Sequence, residues 1–225
     1  MTEPPADLCA LDATPDTDYI ALAYLHAWSR ASLEQKRVAE AGHGWTAQVY
    51  GPGVRAFVRV DEHRAPRLVR YRCRQTPYDY PRDAWPTGLD AWIGAVLEAH
   101  CGALCVEVIV GDSPRGAMCW PVDVLAFAGE GLRERAWDDR RRALEAIAAC
   151  IGASLVGVEW RAPHGLPDDE WIAAHRLDGT SLVLKAPDAR YGDGSPRAIA
   201  GLWIPPLGAD VPPDNEPVEP VASSG

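Results

Sequence analysis

The chain has 225 residues, of which 47% are hydrophobic and 24% charged, with 9 tryptophans, enough to fill the core of one large domain or two small ones. Its net charge of −10 sits at the ends: residues 1–18 hold five acids and residues 208–225 four, with no lysine or arginine in either, so the body is close to neutral. No apolar run reaches the roughly 18 residues of a spanning helix and the start lacks a basic flank before an apolar stretch, so no membrane partner and no secretory signal are expected, and a cytoplasmic setting is. A near-neutral body also argues against a strong independent grip on nucleic-acid phosphates, because neutralising phosphate dominates that affinity.

Residues 1–15 are rich in Pro and Asp and are expected to be disordered. Asp16 or Thr17 can cap a helix running to about Glu40, with Ile20, Tyr24 and Ala27 on one face, closed by Ala41-Gly42-His43-Gly44. Trp45 to Tyr50 then reads as a strand, Gly51-Pro52-Gly53 as a tight turn, and Val54 to Val60 as a second strand. Asp61 to Arg64 is a polar turn, in which His63 is a solvated loop residue, and Arg67 to Arg74 continues the meander.

Trp85 to His100 is the clearest helix, because Leu89, Trp92, Ile93, Val96 and Leu97 recur on one stripe. Leu104 to Val110 is an apolar strand that contains Glu107. A lone buried charge is costly, so Glu107 either points outward on an alternating strand or has a reason to be inside. Gly111 to Gly116 is a turn and Met118 to Leu125 the next strand. The stretch from Gly129 leads into an amphipathic helix with Leu144, Ile147, Ala148 and Ile151 inward and Arg140 to Arg142 on a solvated face. Ser154 to Trp160 reads as a strand, and Pro167-Asp168-Asp169-Glu170 opens a short helix whose acidic first turn suits the helix dipole. Ser181 to Lys185 is a further strand, and residues 208–225 form a Pro- and acid-rich tail expected to be disordered. The six cysteines show no Cys-x-x-Cys pair, and His100-Cys101 with Cys105 is best read as small residues at a helix–strand junction, so no metal site is expected.

The stretch Trp45–Arg55 resembles the nucleophile motif Trp-x-x-Glu-x-Lys-x-Asp-Gly-x-Arg of ATP-dependent DNA ligases and their nucleotidyltransferase relatives, the RNA ligases and capping enzymes. Trp45, Gly53 and Arg55 match. Gln48 stands for the glutamate, Pro52 for the aspartate, and Tyr50 where the family has its catalytic lysine. Further landmarks follow in the family's order. Arg72 falls on the arginine of the next motif, with Arg74 in place of its glycine. Glu107 falls on the glutamate that contacts the ribose. Asp123 and Leu125 match the motif whose aromatic stacks on the base; Val122 replaces that aromatic, and Trp120, two residues away on one strand face, is the candidate substitute. Trp137 to Leu144 resembles the Arg-Arg-x-x-Leu helix. Val183, Lys185, Tyr191 and Gly194 match the longest motif, although Thr180 and Ser181 occupy its Glu-Gly positions. Trp203 survives from the last motif, but Pro205 and Leu207 follow it in place of the phosphate-gripping lysines.

The resemblance implies an α+β fold over residues 16–207, with two antiparallel β-sheets, flanking helices and a central nucleotide cleft, an ATP-grasp-like DNA ligase catalytic domain without the small oligonucleotide-binding barrel. It implies nucleotide-binding roles for Gln48, Arg55, Arg72, Glu107, Trp120 and Lys185, and ATP as the cofactor. The departures fall on the chemistry. Tyrosine has no amine to attack an α-phosphate, and its phenol titrates near 10. The expectation is a ligase-like domain with no catalytic residue, no metal site and no need of magnesium. It would bind a nucleotide or a protein partner, with DNA binding weak or partner-dependent. The alternative is an active ATP-dependent ligase or nucleotidyltransferase that uses different residues, in DNA repair or another ligation.

Overall fold

The computed structural model describes residues 24–27, 44–61, 65–70, 78–113, 116–152, 155–165, 169–175, 180–191 and 199–204. The expected disordered ends at 1–15 and 208–225, together with Arg72, His63, Gly194, Pro205 and Leu207, lie outside them. The described strands are β1 (Tyr24–Ala27), β2 (Thr46–Tyr50), β3 (Val54–Val60), β4 (Arg67–Arg70), β5 (Tyr78–Asp79), β6 (Leu104–Ser113), β7 (Gly116–Phe127), β8 (Glu130–Gly131), β9 (His164–Gly165), β10 (Ser181–Lys185) and β11 (Ile199–Ile204). The helices are α1 (Leu89–Ala99), α2 (Trp137–Ala149) and α3 (Asp169–His175), with a 3₁₀ turn at Arg82–Ala84.

The strands form two sheets, ordered β1-β11-β10-β2-β9 and β5-β4-β3-β6-β7-β8. Every pairing between the described strands is antiparallel except β1 with β11. The α+β reading with two sheets is therefore what the chain adopts.

Alternation of side chains across each strand assigns the faces. In the second sheet, Ala56, Val58 and Val60 of β3 and Leu104, Val106, Val108 and Val110 of β6 pack against Leu89, Trp92, Ile93 and Val96 of α1 and Trp137, Leu144 and Ile147 of α2. In the first sheet, Ala47, Leu182 and Leu184 pack with Ile172 of α3. The opposite faces meet each other: Tyr50 and Val183 from the first sheet join Ile109, Trp120 and Val122 from the second. The molecule is thus layered helix, sheet, sheet, helix, and every residue that alternates with those outer cores points between the sheets.

Five local expectations are corrected. The helix over residues 17–40 fails where it is described, because Tyr24–Ala27 is a strand lying parallel on β11. Its partner is some 175 positions away (Tyr24 with Ile199), so no local period reports it. Of the turn expected at Gly111–Gly116, Gly111 to Ser113 and Gly116 belong instead to paired strands, since pairing continues out to Ser113 with Gly116, and residues 114 and 115 lie outside the described residues. Ser154–Trp160 is not a strand: within its described part only Val158 bridges to Cys119, and Gly157 breaks the run at φ 87°, where a Cβ would meet Thr87 O at 2.4 Å. Arg140 does not lie on a solvated face but is completely buried, whereas Arg141 and Arg142 are on the surface. The helix from Trp85 begins only at Leu89, after Gly88 takes φ 85°, with Val156 O 2.6 Å from where its Cβ would be.

The hairpin turn Gly51-Pro52-Gly53 lies flat on β6. A Cβ on Gly111 would sit 1.9 Å from Pro52 O, and one on Gly53 2.3 Å from Val110 O. Gly94, on the exposed side of α1, meets nothing within 4 Å. Gly111→Ala should therefore destabilise by ~1–3 kcal/mol or more through forced backbone displacement. Gly94→Ala should stabilise by ~0.5–1 kcal/mol through helix propensity. Urea unfolding of the two variants checks the opposite signs.

Candidate functional site

Between the sheets lies a set of buried polar groups built by five strands and helix α2. On β2, Thr46, Gln48 and Tyr50 alternate with Ala47 and Val49, which pack toward α3, so the former three face the second sheet. On β10, Ser181 pairs with Tyr50, Val183 with Gln48 and Lys185 with Thr46, so these side chains share that face. From the second sheet, Arg55, Glu107 and Asp123 face back, with Arg55 opposite Ile109 and Glu107 opposite Asp123.

Asp123 owes its direction to a β-bulge. Pairing of β6 with β7 steps from Val108–Pro121 to Glu107–Asp123, leaving Val122 as the extra residue. Such a bulge re-aims a side chain out of the regular alternation. Asp123 Oδ1 accepts from Arg140 Nε at 2.8 Å and from the Val124 N–H at 2.8 Å. Its Oδ2 accepts from Arg140 Nη2 at 3.2 Å and from Lys185 Nζ at 3.0 Å. Arg140 also donates from Nη1 to Arg135 O at 2.6 Å and to Ala189 O at 2.9 Å. Lys185 donates as well to Val122 O at 2.9 Å and stands 3.9 Å from the centre of the Trp137 ring. Trp137 in turn donates its indole N–H to Thr46 Oγ1 at 2.7 Å.

Beside this centre, Arg55 Nε donates to Glu107 Oε1. Glu107 is 1% exposed, which resolves the open reading of that strand: it points inward and is paired. Trp120 is 3% exposed and donates to Glu159 Oε2 at 2.9 Å. A Cβ on Gly51 would lie 3.0 Å from the Trp120 ring, and the Arg161 guanidinium lies over that ring at 5.2 Å, so protein groups already occupy its surface. Tyr50 is 4% exposed, with Lys185 Nζ 5.9 Å from its ring centre.

The electrostatics follow from burial and pairing. Burial pushes the Asp123 carboxyl up, but the Lys185 ammonium and the Arg140 guanidinium overcome that and hold it at about 2. Burial pushes Lys185 below the usual lysine range, and Asp123 only partly opposes it. The Tyr50 phenol is driven well above 10 by burial and then by the charge of Glu107. Burial disfavours the Arg55 and Arg140 charges, and their carboxylate partners more than restore them.

Of the residues expected at the site, Gln48, Tyr50, Arg55, Glu107, Trp120 and Lys185 all reach this inter-sheet region, and Arg72 lies outside the described residues. Asp123, Arg140 and Trp137 were not expected as site groups. The signal for Asp123 was present: a lone carboxylate within an apolar strand needs a partner, as Glu107 does. Arg140 gave no such signal, because three consecutive arginines differ only in their angle around the helix. Among the described residues, no three of His, Cys, Asp and Glu come together as metal ligands.

The depressed Asp123 carboxyl has a pH consequence. Below the ordinary value of 3.8 the unfolded chain takes up a proton that the folded chain refuses until about pH 2. The unfolded state then binds more protons, so stability is full above that window and falls through it as pH drops. Chemical denaturation between pH 4 and pH 2 should show a steeper loss in the wild type than in Asp123→Asn, which lacks this titration.

No family model matches the sequence, and no curated protein matches it. Solved structures match its fold. The ligase domain of LigD from M. tuberculosis superposes with a TM-score of 0.52 at 20% identity, over 81% of this chain and 58% of that one. The ATP-dependent DNA ligase from bacteriophage T7, solved in complex with ATP, superposes with a TM-score of 0.54 at 9% identity, over 84% of this chain and 69% of that one. The chain thus spans less than two thirds of the LigD ligase domain. No helix among the described residues is long and apolar enough to cross a membrane. At these identities the likeness is one of fold: the chain has the α+β architecture of the ATP-dependent DNA ligase catalytic domain.

Proposed function

We propose that this chain is a ligase-fold domain that works by binding, to a nucleotide or to a protein partner, and forms no covalent nucleotide adduct. The observation that carries this reading is Tyr50. It stands where the resemblance puts the nucleophilic lysine, and it is buried with its phenol driven above the ordinary value. Nucleophilic attack on a phosphate needs an amine or a readily formed anion, and neither is present at that position.

The one lysine among the described residues supports the same reading. Lys185 is held by the Asp123 carboxylate, by Val122 O and by the Trp137 ring. An ammonium so engaged has no lone pair to offer and no freedom to reach a substrate. ATP, the cofactor implied by the fold, meets a mixed reception. The buried amide of Gln48 suits a base, whereas the cations suited to phosphates, Lys185 and Arg140, are already paired with Asp123.

Incubation with α-labelled ATP and magnesium, followed by denaturing electrophoresis, should leave the wild type unlabelled. Tyr50→Lys should stay unlabelled too. Each missing electrostatic contact to a developing charge costs on the order of 10²–10³ in rate, and parts that act as a unit do not recover singly. A labelled wild-type band overturns the reading.

DNA binding should be weak and strongly salt-dependent. Nicked duplex at physiological salt should bind no tighter than about 10⁻⁶ M, the tight end of sequence-independent association. Fluorescence anisotropy across a salt series measures both affinity and slope.

A further inference from the structure

The edge of the second sheet at β5 presents an aromatic surface that the inter-sheet network does not use. Tyr78 is 53% exposed on this strand, which ends the sheet order among the described strands. Its ring meets that of Tyr80 edge-on, with centroids 5.5 Å apart. Alternation puts these two on one face, and Arg70, directly opposite Tyr78 on β4, shares it. The face is the helix side, because Tyr80 N donates to Leu68 O at 2.8 Å and both Leu68 and Tyr80 pack into the helix-covered core. Trp85 closes one flank: its indole donates to Tyr80 O at 3.0 Å, and the Arg82 guanidinium lies 4.0 Å from its ring centre.

The charges of this edge are unequally satisfied. Arg67 is held by Asp79 on the opposite face, and Arg82 by Asp90 and by Pro66 O at 2.9 Å. Arg70 meets no carboxylate among the described residues. Tyrosines beside an arginine are the side chains enriched where one protein surface docks on another. The chain carries a segment of matching chemistry. Residues 210–220 hold Asp210, Asp214, Glu216 and Glu219 together with Pro212, Pro213, Pro217 and Pro220, and no basic residue. Prolines cannot donate to the open ladder of β5, so such a segment suits packing on rings rather than strand addition.

We propose that residues 210–220 of this chain dock on this edge as a polyproline helix, with Pro217 and Pro220 against the Tyr78 and Tyr80 rings and the Glu216 and Glu219 carboxylates toward Arg70. A polyproline helix has three residues per turn, so Pro217 and Pro220 share one edge of it and Glu216 and Glu219 the next. Such helices dock on aromatic-lined surfaces at low entropic cost because they are already extended. The reach is sufficient. Ile204 ends β11, and the stretch from there to Pro217 extends up to ~43–47 Å, against a radius of gyration of ~16 Å for a body of this size. Tethering raises the effective concentration to about the millimolar range, so a contact too weak to join separate molecules closes within one. The inference is independent of the binding reading above and of the site between the sheets.

Photo-crosslinking in the full chain tests it. With p-benzoylphenylalanine in place of Tyr78, irradiation at low protein concentration, digestion and mass spectrometry should join residue 78 to residues 210–220 within the monomer band. The same group in place of Arg142, exposed on α2, is the control and should give a small fraction of that yield. Equal yields at the two positions overturn the proposal, as does an adduct from residue 78 to any other segment or none at all. An adduct to 210–220 confined to a dimer band overturns it in favour of docking between copies. Glu216→Lys with Glu219→Lys, which leaves the body untouched, should cut the yield roughly fivefold, the upper range of an exposed ion pair. Unchanged yield in that variant overturns the role given to the carboxylates. Arg70→Glu in the same background should restore the yield, and no restoration in the folded triple variant overturns the role given to Arg70. Should the triple variant not fold, Pro217→Ala with Pro220→Ala decides in its place: the yield should fall, and an unchanged yield overturns the contact with the tyrosine rings.

Discussion

The Asp123 carboxylate is the point on which the two sheets and helix α2 converge. It leaves the second sheet at a bulge in β7, receives the Arg140 fork from α2 and the Lys185 ammonium from β10 of the first sheet. Removing one partner from such a buried set costs ~3–5 kcal/mol, because an uncompensated charge remains inside. Apolar residues of the same shape would hold the layers as well or better. What the ion pairs add is geometry: the bidentate arginine contact is satisfied at one orientation of α2 over the sheet.

The same network governs the chemistry open to the fold. Trp137 begins α2, donates to Thr46 on β2 and backs the Lys185 ammonium, so the start of the helix closes over the first sheet. Asp138 N–H donates to Pro187 O at 3.0 Å just beyond β10 and reinforces that closure. Glu107 and Arg55 neutralise each other on the adjoining strands. With the Tyr50 phenol buried and the nearby cations satisfied internally, the inter-sheet layer behaves as a stabilised interface. Among the described residues, the uncharged Gln48 amide of this layer meets no hydrogen-bonding partner.

A fold hosts many activities, and activity resides in the site. Here the scaffold is that of the solved structures, and the charged groups between the sheets pair with one another. The long antiparallel pair of β6 and β7, the two-sheet layering and the apolar stripe of α1 all persist. None of these features depends on which side chain stands at residue 50.

The sequence by itself determined the strands of the hairpin through Gly51-Pro52-Gly53, the apolar stripe of α1, and the order of ligase-like landmarks. These are written within a few residues, as alternation, helical period and turn chemistry. Only the tertiary structure decided that Tyr24–Ala27 is a strand, that Arg140 rather than Arg141 or Arg142 goes inside, and that Asp123 neutralises Lys185. The partners in these cases stand far apart in the chain, 62 positions for Lys185 and Asp123 and 17 for Arg140 and Asp123. Local pattern fixes what a residue is able to do, but charge pairing and strand order depend on which distant surface folds against it.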